Sequence, residues 1–195
     1  MKRFAIISFT ASVLFCLSFI PKEKKVVIID VGHGGKDRGS IHGELSEKDI
    51  VLEIDQKIQD LNSSEKLEII LTREIDHFIE LEERVNFANQ QTPSFFLSLH
   101  ANYSTKDNIS GFEIYVKDNS LLEQSMKMAS AIEREYPNQI QKRQITTANF
   151  HVLKKSNCPS ALLELGFLSN EGDRNYLLSE AGQWKIAEAI YKAIQ

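Results

Sequence analysis

Short runs of β-branched and other apolar residues alternate along the chain with longer segments in which apolar residues recur at helical spacing. The apolar runs predict strands at residues 25–30, 67–72, 94–99, 111–116, 150–153 and 160–165. The amphipathic segments predict helices at residues 46–61, 80–91, 119–136 and 180–194. This alternation favours an α/β fold, and we expect a single domain with a mostly parallel, twisted sheet flanked by helices. Ligands of such sheets bind at the carboxyl ends of the strands, where we expect the active site.

The first 22 residues differ from the rest of the chain. Lys2 and Arg3 precede an uncharged run at residues 4–20, and a charged stretch follows it. A positive start before an apolar segment predicts that residues 1–22 are a signal peptide or an N-terminal membrane anchor. A buried core helix is the alternative, but it would need polar residues at helical period, and the run has only scattered Ser and Thr. We therefore expect an exported protein of the periplasm or cell envelope, attached to the membrane through residues 4–20 if the segment is retained.

Charge and cysteine content restrict the partners and the sources of stability. The chain has 23 Lys and Arg against 27 Asp and Glu, a net charge of −4, so no basic surplus indicates a nucleic-acid partner. Without the N-terminal segment Cys158 is the only cysteine left, which excludes an internal disulfide. The remaining domain, residues 24–195, must be stabilised by a packed core, to which a bound metal can add.

Two histidines follow predicted strands directly. His33 lies in a glycine-rich turn after the first strand, and His100 ends the apolar run at residues 94–99. Glycines let the backbone turn sharply, and strand ends of this kind converge at one edge of a sheet. His42, His77 and His151 have no matching companions, and we expect them at the surface or in supporting contacts.

Glu47 lies in the first turn of the helix predicted to begin at Ser46, which we expect to be its N-cap with Asp49 as a capping-box partner. Helical spacing from Val51 and Ile54 places Glu47 on the inward, apolar face. It either favours the helix dipole from a solvated position or serves as a ligand. Two histidines and one inward glutamate form the three-ligand set of catalytic zinc sites, whose fourth position is left to water.

Glu164 interrupts an apolar run that is typical of a strand buried on both faces. It is either half of a buried salt bridge, with Arg143 or Arg84 as partner, or a general acid or base with a raised pKa beside a metal-bound water. Glu113 either lines the same cleft or is a solvated acid on a strand face.

These residues resemble the zinc-dependent N-acetylmuramoyl-L-alanine amidases, which include the bacterial cell-division amidases. The matching stretches occur in the family's order and cover nearly all of residues 25–195. They are IIDVGHGGKDRGS (28–40), LSEKDIVLEI (45–54), LTREIDHFIELEERVNFAN (71–89), SLHANYS (98–104), GFEIYV (111–116), and a block from Arg143 through NFHVLKKSNCPSALLELGFLSNEGD (149–173).

The resemblance implies that residues 24–195 form a zinc amidase catalytic domain. His33, Glu47 and His100 would hold Zn²⁺, and Glu164 would be the catalytic glutamate. The implied substrate is peptidoglycan, cut at the amide between the lactyl group of N-acetylmuramic acid and L-alanine of the stem peptide. Within the matching stretches we expect Asn102 and Arg143 to contact the substrate.

Two features depart from the family's pattern. Val31 stands where the family usually has Pro, which should loosen the turn without removing a ligand. The stretch between Val116 and Arg143 is short, whereas regulated division amidases carry there an extra helix that plugs the zinc site. We therefore expect no requirement for an activator protein.

Two other functions are compatible with some of these residues. A glycosidase could use Glu47 and Glu164 as its two carboxylates, although that leaves both strand-end histidines without a role. A non-catalytic peptidoglycan-binding module could keep the same fold, although no expected ligand has been lost.

Overall fold

A computed structural model describes residues 24–195, so the predicted signal or anchor segment, residues 1–22, lies outside the described residues. The strands are β1 (Lys25–Val31), β2 (Ile41–His42), β3 (Leu45–Ser46), β4 (Leu67–Leu71), β5 (Phe95–Asn102), β6 (Glu113–Val116), β7 (Thr146–Thr147) and β8 (Ser160–Phe167). The helices are α1 (Glu47–Asp60), α2 (Leu81–Gln90), α3 (Leu122–Glu135), α4 (His151–Lys155), α5 (Glu171–Leu178) and α6 (Glu180–Ile194). None of the helices in this part of the chain is long and apolar enough to cross a membrane.

The central sheet has six strands in the order β4-β1-β5-β8-β6-β7. The first four strands in this order are parallel, whereas β6 runs antiparallel to β8, with β7 parallel to β6. The sheet is therefore mostly parallel, as the sequence predicts. The short strands β2 and β3 form a separate hairpin that leads into α1.

Both faces of the sheet are covered by helices, but unequally. The larger core lies between the sheet and α1, α3 and α6, and includes Val27, Leu97 and Leu163 from the strands. The opposite face is covered by α2, with 10 residues, and α4, with 5. A cavity beside α2 is lined by His33, which follows β1, and by His100 of β5.

The predicted strand at residues 150–153 is wrong. These residues begin α4, whose Val152 and Leu153 are both buried against Phe96 and Leu162. A run of two or three apolar residues fits a buried helical turn as well as a strand, so periodicity alone does not separate the two. The edge strand of this region is β7, and α5 was not predicted.

Ser46 is the N-cap residue of α1, but its side chain does not cap the helix. Its hydroxyl accepts a hydrogen bond from Arg38 Nε at 2.9 Å. The first helical amides, those of Glu47 and Lys48, donate instead to the carbonyls of Ser40 and Arg38. The start of α1 is therefore fixed against the loop at residues 38–40, which also fixes the position of Glu47.

Candidate metal centre and active site

His33 lies just beyond the carboxyl end of β1, in a left-handed backbone conformation with φ of 58°. Its Nδ1 is 2.8 Å from Asp37 Oδ2, which directs Nε2 towards Glu47 Oε1 at 3.1 Å. A non-glycine residue with positive φ is strained, and such strain persists only where neighbouring groups hold it.

Two buried arginines hold the backbone of this turn. Arg84 donates to the carbonyls of Val31 and His33 and forms an ion pair with Asp30 at 2.9 Å. Arg73, 2% exposed, donates to the carbonyls of Val31 and Gly32 at 3.1 and 2.9 Å. These contacts account for the strained conformation at His33.

Glu47 lies at the start of α1 and is 3% exposed, which confirms its inward position. Its Oε1 is 2.8 Å from His100 Nδ1 and accepts from the Ala101 amide at 3.0 Å, while Oε2 accepts from the Ser40 amide at 2.7 Å. Burial acts to raise the pKa of Glu47, but hydrogen bonds and charges from His100 and His33 hold that pKa well below its usual range. Both oxygens are engaged, so Glu47 is poorly placed to be one of the two carboxylates of a glycosidase.

The two imidazoles respond to the same carboxylate. Burial acts to lower the pKa of His33, but hydrogen bonds and charges from Glu47 and Asp37 raise it to about 9 in the metal-free protein. The pKa of His100 is also raised, since its contact with Glu47 outweighs the opposing effect of burial.

One ligand atom from each of His33, Glu47 and His100 lies within 4.8 Å of the other two. The two imidazole rings meet edge to face, with centroids 4.9 Å apart. A Cβ added at Gly39 would lie 2.5 Å from Glu47 Oε2 and 2.5 Å from His33 Cδ2, so the loop passes directly beside these ligands. Two imidazole nitrogens and one carboxylate oxygen are the donors of a catalytic zinc site with one open position, and the arrangement fits that ion.

Glu164 lies on β8, where it is paired with His100 of β5 on one side and with Glu113 of β6 on the other. Its Oε2 is buried and has no hydrogen-bond partner among residues 24–195. Burial raises the pKa of Glu164 to about 7; the charge of His100 opposes this, and the carboxylates of Glu47 and Glu113 add to it.

The salt bridges considered for Glu164 do not form. Arg84 pairs with Asp30 at 2.9 Å, and Arg143 Nε pairs with Glu113 Oε1 at 3.2 Å. Among the described residues Glu164 therefore faces the histidine and glutamate cluster without a cation of its own.

Asn102 and Arg143 meet at Glu113, beside Glu164. Glu113 Oε2 accepts hydrogen bonds from Asn102 Nδ2 at 3.0 Å and from Tyr115 Oη at 2.9 Å, and its Oε1 binds Arg143. Glu113 is thus a partly buried acid that joins three polar side chains beside Glu164, not a solvated one.

A cavity of about 320 Å³ lies on the other side of the cluster, against His33 and His100. Its wall is formed by Phe78, Ile79 and Leu81, from the segment that leads into α2. The reacting position implied by the ligands and Glu164 therefore lies between this cavity and the Glu113–Arg143 pair.

The other three histidines do not join the cluster. His42 lies in the β2–β3 hairpin, His77 is exposed, and His151 is 2.9 Å from Glu82 at the surface. Sequence reasoning missed Asp37 and Arg73. Asp37 could have been found from its position four residues after His33 in the same glycine-rich turn, whereas no local pattern indicates that Arg73 binds this turn.

Comparison with known proteins assigns nearly all of the described residues to one family. The sequence profile of the family described as N-acetylmuramoyl-L-alanine amidase matches residues 27–195. The uncharacterized protein YqiI of Bacillus subtilis is 38% identical, with 89% of this chain and 85% of that protein covered. The B. subtilis N-acetylmuramoyl-L-alanine amidase LytC is 34% identical over 88% of this chain, which spans only 35% of LytC.

Comparison of the fold with solved structures identifies the same family. The catalytic domain of CwlV, an N-acetylmuramoyl-L-alanine amidase from Bacillus (Paenibacillus) polymyxa, superposes with a TM-score of 0.82 at 34% identity, covering 87% of this chain and 96% of that one. Sequence and fold thus agree over the same residues that carry the cluster. The chain belongs to the N-acetylmuramoyl-L-alanine amidase family of peptidoglycan hydrolases.

Proposed function

We propose that this amidase cuts the bond between the lactyl group of N-acetylmuramic acid and L-alanine with a zinc ion held by His33, Glu47 and His100, and with Glu164 as the group that moves the proton. A bound zinc is a Lewis acid that lowers the pKa of water from 15.7 to about 7 and polarises the scissile carbonyl. The donor set supports zinc because it supplies three ligands and leaves one position open.

Glu164 carries the proton between the two halves of the reaction. Its carboxylate accepts a proton from the attacking water as the carbon–oxygen bond forms. It then delivers that proton to the amide nitrogen as the carbon–nitrogen bond breaks, so that L-alanine leaves as a neutral amine. Burial raises the pKa of Glu164 in the metal-free protein, and a carboxyl group with a raised pKa can accept and deliver a proton near neutral pH.

One observation carries this proposal: a buried carboxylate oxygen without a partner faces a preformed three-ligand cluster across neighbouring strands. A buried polar atom without a partner is destabilising by about 1 to 3 kcal/mol, so its retention points to a role in chemistry. A purely peptidoglycan-binding role would need neither the cluster nor this carboxylate.

Glu164→Gln tests the assignment. The variant keeps the shape of the side chain but cannot accept a proton, so we expect normal zinc content, an unchanged or higher melting temperature, and a loss of about 10²- to 10⁴-fold in rate. Glu68→Gln, the same change at an exposed position of β4, is the matched control and should leave the rate unchanged. The measurements are zinc per chain, thermal melting and release of peptides with N-terminal L-alanine.

Three results would contradict the proposal. Full activity in zinc-loaded Glu164→Gln would remove Glu164 from the chemistry. Full zinc content and activity in His33→Ala or His100→Ala would remove the ligand assignment. Peptidoglycan binding without any peptide release by the wild-type protein would favour the non-catalytic module.

The amidase is further proposed to act without an activator protein. The position of α3 supports this, because Ala129 and Ile132 are buried in the larger core and the helix packs against α6 and β6. Among the described residues α3 is the one helix between Val116 and Arg143, so that stretch has no second helix that could serve as a plug. The purified protein should digest peptidoglycan alone; activity that appears only after a partner is added would contradict this.

Export to the periplasm or cell envelope is likewise proposed, because the substrate is cell-wall material and residues 1–22 have the charge and apolar pattern of a signal or anchor. Cell fractionation together with mass spectrometry of the mature N-terminus would separate a cleaved signal from a retained anchor. Cytoplasmic protein with an intact N-terminus would contradict export.

A further inference from the structure

The cleft is chemically asymmetric about Glu164. On the β1 side the cavity is lined by the apolar Phe78, Ile79 and Leu81 and by acidic side chains, and the cation in that lining, Arg84, is already paired with Asp30. On the β6 side the nearest cation is Arg143, which is bound to Glu113. We propose that the substrate lies across the strands in one direction, with its muramoyl half towards the cavity and its stem peptide over β6, where Arg143 binds a carboxylate on the residue that follows L-alanine.

The direction follows from the role of Glu164 and therefore rests on the proposed function. A group that delivers a proton to the leaving nitrogen must lie within hydrogen-bond reach of it. The nitrogen of L-alanine consequently lies at β8, and the acyl half extends towards His33 on β1. The peptide continues to the next strand in the sheet, which is β6.

The distances select the second peptide residue. Glu113 pairs with Glu164 across neighbouring strands, which are about 4.8 Å apart. Arg143 follows Lys142, which bridges Phe112 beside β6, on the edge of that strand where β7 pairs. Its Nε contacts Glu113 Oε1 at 3.2 Å. An extended chain advances about 3.5 Å per residue, so two residues measured from the L-alanine nitrogen bring a carboxylate to the guanidinium.

Arg143 retains the donors that such a contact needs. Its Nε is used by Glu113, and its Nη1 makes only a long 3.4 Å contact with the Ser110 carbonyl. Nη2 has no hydrogen-bond partner in residues 24–195, and the side chain is 39% exposed. The Phe167 ring, 5.8 Å away, backs the guanidinium on one side. A planar fork held in this way suits bidentate binding of a carboxylate.

Glu113 is the positioning residue for this contact. It holds Arg143 through one oxygen, and its other oxygen accepts from Asn102 and Tyr115. With both oxygens engaged, Glu113 orients the guanidinium and leaves part of its positive charge available to the substrate.

Two synthetic muramyl dipeptides test the proposal: N-acetylmuramoyl-L-alanyl-D-glutamate and its D-isoglutamine analogue, both with the γ-carboxyl blocked as a methylamide. They then differ only in an α-carboxylate against an α-carboxamide. The zinc-loaded wild-type protein should prefer the acid by about 10- to 100-fold in kcat/KM, the usual gain for a charge-assisted hydrogen bond. Arg143→Gln should lower kcat/KM for the acid to about the value for the amide, so that the preference is lost. Arg134→Gln, which removes a 72% exposed arginine from α3, should keep it.

Dissociation constants for the same two peptides with zinc-loaded Glu164→Gln give the comparison without turnover, and an additional Arg143→Gln change should abolish the difference. Equal affinity for acid and amide, or a preference that survives Arg143→Gln, would overturn the proposal. Undiminished turnover by Glu164→Gln would overturn the proposed mechanism instead, so the two failures are distinguishable.

Discussion

Replacement of Asp37 by alanine should weaken zinc binding without unfolding the protein. Asp37 accepts the His33 Nδ1 hydrogen bond at 2.8 Å and so fixes the ring that presents Nε2 to the metal position. Loss of such a support lowers metal affinity by about 10- to 100-fold, which corresponds to about 1.4 to 2.7 kcal/mol. The Asp37 side chain is 45% exposed, so the free energy of unfolding should change by less than about 1 kcal/mol.

A second effect of Asp37 acts in the opposite direction. Asp37 contributes to the raised pKa of His33, about 9, and a protonated imidazole must lose its proton before it binds a metal. The alanine variant lowers this proton competition, which partly offsets the weaker support of the ring at about pH 7. At pH 9 and above the competition fades, and the full loss of affinity should appear.

Competition for zinc with a fluorescent chelator, at about pH 7 and about pH 9, measures both effects. Asp118→Ala is the matched control, because it removes an exposed acid that lies away from the cluster. Asp118 follows β6, and the end of β6 pairs with the start of β8, whereas the cluster lies at the carboxyl ends of the parallel strands. Zinc affinity within about twofold of wild type for Asp37→Ala at pH 9 would refute the reasoning. An equal loss in Asp118→Ala would show that net charge, not the hydrogen bond, is responsible.

Three further predictions concern pH and packing. Apparent zinc affinity should rise with pH up to about 9 and then level off, because His33 must be neutral to bind; chelator competition across this range checks it. Gly39→Ala should lower zinc content and melting temperature, because the backbone there has a φ of 64° and the added Cβ would meet Glu47. Gly43→Ala is the control: its φ of 61° gives the same backbone strain, but no atom lies within 4 Å of the added Cβ. Burial raises the pKa of Asp55, so ionisation of this carboxyl destabilises the folded protein as the pH rises above 3.8, its pKa in the unfolded chain. Asp55→Asn should abolish this fall in stability, and denaturant unfolding at a series of pH values measures it.

The members of the candidate site could be predicted because each of them breaks a local pattern. His33 and His100 each follow an apolar run, and parallel strands bring such ends to one edge of the sheet. Glu47 occupies an apolar position in the helical period, and Glu164 interrupts an apolar strand. A charged residue in a buried pattern needs a reason, and here the structure brings all four together.

The partners of these residues could not be predicted in the same way. From the sequence, either Arg84 or Arg143 could form a salt bridge with Glu164. In the structure Arg84 pairs with Asp30 and Arg143 pairs with Glu113. Register and the antiparallel direction of β6 depend on contacts between segments far apart in the chain, which local periodicity does not contain. The contact of Ser46 could not be predicted either. Serine is a favourable N-cap residue, but here its hydroxyl accepts a hydrogen bond from Arg38.

Three buried charged residues lie around the glycine-rich turn that carries His33, and this placement relates the fold to its chemistry. Asp30, Arg73 and Arg84 are each at most 2% exposed, and all three act on the turn that carries His33, directly or through one another. Well-packed apolar residues of similar volume are often as stable as a buried ion pair or more so, so stability alone does not explain these residues. Apolar side chains could not donate to the carbonyls that fix the strained conformation at His33. The arginines therefore hold His33, one of the three proposed ligands, in position without a metal, much as the Ser40 and Ala101 amides hold Glu47. Since metal affinity depends on ligands already held in position, the proposed zinc site implies that these buried charges would act through the backbone and not through contact with the substrate.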